Sequence, residues 1–295
     1  MKPYPLIIGI TLCVLTICSC DSKRDNGQKE AEELLKEARG MLSSDQFTQA
    51  RLLIDSLRTA YPRAFDARRE AIDLMNELEI KEAQHGIAVN ERTIADVQKR
   101  VSDLKSNFIL EKAPRYQTIG FYKDIQQPAS SLHRTCLYAE VDETGQLFLV
   151  SVLTGKQLKH EIIKVDTGTE EGVESDKCFS FVTDKSNGYE EQATFKKRHD
   201  NGVLDFIIEN ASKSIRVTCI APNGRHSYNL SKTDVQSIIR CNELESAMQQ
   251  EEQLKHANDS LRMKVKFFLK KQEKDRAGTQ PAKEKILKEE PTKPL

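Results

Sequence analysis

The stretch Cys136-Leu137-Tyr138-Ala139-Glu140-Val141, followed after Asp142 by Glu143-Thr144-Gly145 and then Gln146-Leu147-Phe148-Leu149-Val150-Ser151-Val152-Leu153, decides how the chain is read. Two runs rich in β-branched, aromatic and aliphatic residues flank a turn with glycine, the pattern of an antiparallel hairpin. Phe148, Leu149, Val150 and Val152 are apolar on both faces, which suits a central strand or one covered by a helix.

Further turn signals continue from here at Thr154-Gly155, Ser186-Asn187-Gly188, Asp200-Asn201-Gly202, Asn210-Ala211-Ser212 and Pro222-Asn223-Gly224. The segments between them predict strands at Glu161–Val165, Lys177–Thr183, Tyr189–Lys197, Val203–Glu209, Ile215–Ile220 and His226–Leu230. With the opening pair this makes an antiparallel meander of about eight short strands over residues 134–230, because short turns join antiparallel neighbours. Alternation in Ile215-Val217-Cys219 and in Leu204-Phe206-Ile208 leaves one face buried.

Helical spacing takes over on both sides. Ile94, Val97, Val101, Leu104 and Phe108 recur every three or four residues, a heptad seam over residues 87–112 that needs a partner helix. After Ser231-Lys232-Thr233-Asp234, a strong helix start, a second seam holds Ile238, Cys241, Leu244, Ala247, Leu254, Leu261, Val265 and Phe268 over residues 231–276. Asn258 falls on it, and a polar seam residue commonly sets register. The two seams fit an antiparallel intramolecular stalk or pairing with a second copy of the chain. Residues 113–133 between the first helix and the strands read as a linker. The proline-rich, charged segment 277–295 has little to bury and reads as a disordered tail.

Toward the N-terminus, Leu34, Leu35, Ala38, Met41 and Leu42 form one apolar stripe, and Phe47, Ala50, Leu53, Ile54 and Leu57 a second, closed by Tyr61-Pro62. A third helix carries Ala67, Ala71, Leu74 and Leu78. Ala38, Phe47, Ala50 and Pro62 resemble the small, aromatic, small and terminating positions of one tetratricopeptide unit. Leu34 and Met41 depart from that family, which favours large aromatics there. The resemblance implies a peptide-binding groove. A single unit falls short of the three repeats a stack needs, so a plain bundle over residues 31–86 is the reading preferred.

The first residues run from Lys2 through an apolar core, Leu6 to Ile17, into Ile17-Cys18-Ser19-Cys20. A core of about a dozen residues suits a secretory signal and is short for a spanning helix, which needs about 20. The sequence resembles the lipobox of bacterial lipoproteins: an aliphatic residue, two mostly small ones, then the cysteine that receives lipid. The resemblance implies removal of residues 1–19, lipidation of Cys20, a polar tether over 20–30 and a protein held at a cell-envelope membrane. Asp21 resembles an inner-membrane retention signal of some lineages, but the outer membrane is the reading preferred.

Lys and Arg together number 45, as do Asp and Glu, so the formal net charge is zero. A zero balance argues against a nucleic-acid partner, whose binding needs a basic face. Charged residues make up 31% and aromatics 6% with no Trp, which suits long solvated helices beside a modest core. Outside the signal and anchor stand Cys136, Cys178, Cys219 and Cys241. No Cys-x-x-Cys spacing exists, so a zinc knuckle has no support, while disulfide pairing and buried free thiols both stay open.

A search for chemistry finds no phosphate loop, dinucleotide fingerprint or nucleophile elbow. His160-Glu161 begins like a zinc-protease motif, but Lys164 stands where the second ligand belongs. Ser102 and Lys105 have the spacing of an acyl-transfer pair on a heptad helix, without the motifs that accompany one. Glu170, Glu171 and Glu174 lie in an acidic, glycine-containing loop that lacks the alternation of a calcium site. The expectation is an α+β chain without catalytic residues, metal or cofactor. It would be an envelope scaffold bound to a membrane and a protein partner, or to a second copy. The alternative is a small-ligand binder whose strands close into a barrel.

Overall fold

The computed structural model describes residues 20–127, 134–168, 171–185 and 188–287. Residues 1–19, where the signal was expected, and residues 288–295 lie outside that range. Among the described residues, five helices and two antiparallel sheets give an α+β architecture that divides into two compact units. One comprises residues up to Val89 and from Asn258 onward, the other Asn90–Ala257.

The helical unit contains α1 (Cys20–Ser43), α2 (Phe47–Ala60), the first part of α3 (Phe65–Lys105) and the last part of α5 (Lys232–Leu287). Its core follows from the stripes in the sequence: Ala31, Leu35, Ala38 and Leu42 of α1 meet Ala50, Ile54 and Leu57 of α2 and Ala67, Ala71 and Leu74 of α3. The alanines at the contacts let the helices approach closely. Asp45 makes the turn from α1 to α2 with a left-handed φ of 56°, which Asp tolerates better than most residues. Gln46 N–H then donates to the carbonyl of Met41 at 2.9 Å.

Three expectations are corrected here. The segment read as a tether is helical, since α1 begins at Cys20. The third helix of the bundle and the first seam helix are one element, α3. Gly86 lies inside α3, where a Cβ would come within 3.0 Å of Leu261 Cδ1; its small size serves packing. The segment read as a disordered tail from Ala277 continues α5 to Leu287.

In the second unit α3 stops at Lys105, short of the expected 112, and Phe108–Glu111 forms β1. The presumed linker contains β2 (Phe121–Asp124), which pairs with β1 and with β3 (Cys136–Asp142). Strand β4 (Leu147–Thr154) follows by the hairpin at Gly145, whose φ is 80°. The remaining elements are β5 (Ile162–Asp166), β6 (Gly172–Glu174), β7 (Ser180–Lys185), β8 (Gly188–Lys196), α4 (Val203–Glu209), β9 (Arg216–Ala221) and β10 (Gly224–Asn229).

The strands do not form one meander. They divide into a six-stranded sheet, β1-β2-β3-β4-β8-β7, and a four-stranded sheet, β10-β9-β5-β6. The acidic loop contributes β6. Residues Val203–Glu209, expected as a strand, are helix α4. Asn201 and Gly202 take φ values of 49° and 89°, and Asp200 Oδ2 accepts the N–H of Leu204 at 2.9 Å. An aspartate accepting an amide of the first turn starts a helix, and Val203, Leu204 and Ile207 then bury at helical spacing.

Inner-face residues Leu137, Ala139, Leu147 and Leu149 of the larger sheet and Ile163, Val165 and Val217 of the smaller belong to one core. Helix α5 joins it with Val235, Ile238, Cys241 and Leu244, all at most 4% exposed. Burying each aliphatic side chain contributes about 1.5–3 kcal/mol, so this helical cover is a main part of the β unit. The start of α5 is fixed by reciprocal bonds: Asp234 N–H donates to Ser231 Oγ, and Ser231 Oγ donates to Asp234 Oδ2 at 2.6 Å. Further along, Val97 and Val101 of α3 pack with Ala247, and Gln98 Nε2 donates to Glu251 Oε1.

Candidate functional site

The most concentrated chemistry lies between the two sheets. On β4, Ser151 follows Leu147 and Leu149 onto the inner face at period two. On β8, Glu191, Ala193 and Phe195 take the same face, and β4–β8 pairing sets Leu153 opposite Glu191 and Ser151 opposite Ala193. From the smaller sheet come His160, just before β5, and Cys219 on β9. The side chains of His160 and Glu191 have no exposure, and Ser151 and Cys219 are likewise fully buried.

The hydrogen bonds run in one chain. Glu191 Oε2 accepts the N–H groups of Leu158 and Lys159 at 2.8 and 2.6 Å. Its Oε1 accepts the N–H of His160 and pairs with His160 Nδ1. His160 Nε2 lies 3.0 Å from Ser151 Oγ, which lies 3.6 Å from Cys219 Sγ. Lys159 holds the preceding turn with φ 58°.

Burial pushes the Glu191 carboxyl up, but the amides of Lys159 and His160 and the imidazole outweigh it, leaving the pKa below its usual 4.5. Burial lowers the His160 pKa from 6.5, only partly offset by Glu191. A neutral imidazole with Nδ1–H toward the carboxylate can accept the Ser151 hydroxyl proton at Nε2. Burial raises the Cys219 thiol to about 11, so it stays protonated. The Tyr228 hydroxyl is also buried, beside Ser151, and burial raises its pKa.

Carboxylate, imidazole and hydroxyl stand in the order of a nucleophilic triad. Their setting differs, because a nucleophile needs a position about 3 Å from its oxygen where a reacting carbon can sit. Here Ser151 is fully buried, and its Oγ faces His160 Nε2 and Cys219 Sγ. In this arrangement the four groups satisfy one another and tie the two sheets together.

The other marked residues separate. Cys20, the expected lipidation site, opens α1, while residues 17–19, read with it as a lipobox, lie outside the described range. Lys105 Nζ sits 4.6 Å above the Tyr122 ring, an alternative partner to Ser102. Lys164 pairs with Glu174 across β5 and β6. Cys136, Cys178, Cys219 and Cys241 are free thiols. Among the described residues no group of three His, Cys, Asp or Glu side chains is placed to hold a metal ion, and no helix is long and apolar enough to cross a membrane.

Sequence reading singled out neither Ser151 nor Glu191. The available signal was periodicity: each is a polar residue at an inward position of a strand whose other inward residues are apolar. Their partner His160 lies in a different sheet, so no linear spacing joins them.

In the helical unit, Arg51 pairs with Glu79 and, at 2.7 Å, with Glu82, while Lys264 meets Glu79 at 2.6 Å. An open cleft of about 490 Å³ is lined by Arg69, Ile72, Asp73, Lys271, Gln272 and Asp275, among others. Its charges are mixed. No protein-family model, curated protein or solved structure matches this chain.

Proposed function

We propose that the chain is a lipid-anchored bacterial envelope protein that acts as a non-catalytic scaffold for a protein partner, on the outer membrane in preference to the inner. The observation that carries this reading is the run Leu6–Ile17 ending in Ile17-Cys18-Ser19-Cys20. Several acyl chains on one cysteine hold a protein firmly, whereas one chain binds reversibly.

The absence of access to Ser151 supports a scaffold over a hydrolase. The filled space between the sheets supports it over a barrel with a ligand cavity: Leu137, Leu149, Ile163, Val217 and Ile238 all have 0% exposure. We also infer that the heptad seam of α3 is a coiled coil closed within the chain. The pairs Val101 with Ala247 and Gln98 with Glu251, in one unit, support that reading over pairing with a second copy.

Replacing Cys20 tests the anchor. In cells making the Cys20→Ala chain, the protein should leave the membrane fraction or accumulate as uncut precursor. Cleavage and membrane pelleting equal to wild type would sink the lipoprotein reading.

A further inference from the structure

Between Arg262 and Arg276, α5 carries seven basic residues and two acidic ones, a local excess in a chain whose net charge is zero. One side of this segment is engaged within the helical unit: Leu261 lies over Gly86, Lys264 pairs with Glu79, and Lys271 Nζ donates to Asn76 Oδ1 at 3.1 Å. The opposite side is open. Met263 is 67% exposed and Phe267 62%, and Lys266, Lys270 and Lys274 are exposed around them. These three lysines have no ion-pair partner among the described residues, unlike Lys264.

Helical geometry gathers them. At 3.6 residues per turn, Met263, Phe267, Lys270 and Lys274 fall within about 60° of one another, with Lys266 on the flank. An exposed apolar pair set among cations suits an interface that is negative outside and hydrocarbon beneath. Apolar side chains of such a helix enter about 5–10 Å into the headgroup region, and lysine stems reach back to the phosphates.

We propose that this face of α5 is a second membrane contact, one that binds an anionic phospholipid surface. The proposal rests on the membrane-anchored reading only for its setting; the stripe itself would act without a lipid on Cys20. It gives Lys266, Lys270 and Lys274 a role on a face that makes no ion pair among the described residues.

Vesicle cosedimentation of the full chain carrying Cys20→Ala tests it, comparing phosphatidylglycerol-containing vesicles with pure phosphatidylcholine. The apolar N-terminal run, where retained, contributes to both compositions, so the difference between them reads the stripe. Each cation near an anionic surface strengthens binding several-fold. The preference for anionic vesicles should therefore exceed about tenfold at low salt and vanish near 0.5 M NaCl, where charges are screened within about 5 Å. Lys266→Glu, Lys270→Glu and Lys274→Glu together should abolish the preference with an unchanged circular dichroism spectrum. Phe267→Ala should weaken binding several-fold without changing salt dependence. Equal binding to both vesicle types, or a preference that survives the triple substitution, would overturn the proposal. So would retention of the lysine face by polyglutamate with no vesicle preference, which would assign it to an acidic protein. An anchor failure shows separately, as wild-type chain that does not sediment with cell membranes while the vesicle preference persists.

Discussion

The two ends of helix α5 are built for opposite surroundings. Near its start, Val235, Ile238, Cys241, Leu244 and Ala247 recur every three residues and all are at most 4% exposed. Cys241 Sγ even donates to the carbonyl of Ala139 at 3.3 Å, inside the β core. Near its end, Met263 and Phe267 stand 67% and 62% exposed among lysines. Apolar content is therefore a poor guide to what a helical residue does. Position on the stripe decides it: the first set meets a sheet, while the second lies on the side that its own unit leaves uncovered.

The sharpest way to break this contrast is to place the same charge at each end. Ile238→Asp would bury a carboxylate with no partner in the core shared with Leu137 and Leu149, at a cost of about 3–5 kcal/mol. The β unit should lose its cooperative thermal transition or melt at least 10 °C lower. Phe267→Asp should move that transition by no more than about 2 °C, since exposed substitutions away from special features lie within about 0.5 kcal/mol. Comparable losses at both positions, followed by circular dichroism, would show that the exposed stripe is in fact covered.

A smaller effect is expected from the polar tie. Glu191→Gln puts an NH₂ group where one of the amides of Leu158, Lys159 and His160 now finds an oxygen. Leaving a buried donor unsatisfied costs about 1–3 kcal/mol. Acid should act in the same direction on wild type. His160 has its folded pKa depressed below 6.5, so the unfolded chain takes up that proton first and stability falls as pH drops below about 6.5. Glu191 is depressed below 4.5, so its contribution is present above 4.5 and is lost as pH falls through the folded value. Urea midpoints measured from pH 7 to 4 should decline for wild type. In Glu191→Gln the decline below 4.5 should be shallower. Identical pH curves for the two proteins would remove the buried ion from the account.

How much of this was legible depended on how local the determining contacts are. The stripes Ala31, Leu35, Ala38, Leu42 and Ala50, Ile54, Leu57 bury as spaced, because a helix puts residues three and four apart on one face whatever else the chain does. Hairpins at Gly145 and at Pro222-Asn223 were also readable, since a turn and its flanking pair are contiguous. Val203–Glu209 misled because its alternating apolar residues fit both periods. The left-handed pair Asn201-Gly202 and the Asp200 side chain settled it as a helix. Phe108–Glu111 misled in a similar way, since Phe108 continues the three- and four-residue spacing of α3 and becomes a strand only through β2. The site was the least legible part. Ser151, His160 and Glu191 come together only once two sheets are stacked, and nothing in linear order brings them near.

Asn258 offers the finest test of the contrast along α5, because it interrupts the apolar seam between the two ends. It is 2% exposed, and its Oδ1 has no hydrogen-bond partner among the described residues. A buried carbonyl oxygen without a donor costs about 1–3 kcal/mol, so a residue retained on stability grounds alone would be apolar. Asn258→Leu removes the unsatisfied oxygen at nearly the same volume and should raise the melting temperature by about 2–4 °C, equivalent to about 1 kcal/mol for a unit of this size. A polar seam residue can also fix register and partner number at some cost in stability. If Asn258 does so, the more stable leucine variant should also begin to associate. Analytical ultracentrifugation would then show dimers or higher species absent from wild type. Greater stability in a monomer assigns Asn258 no part in pairing. A lower melting temperature would mean that its amide side makes contacts worth more than the oxygen loses, and the seam would have to be redrawn around it.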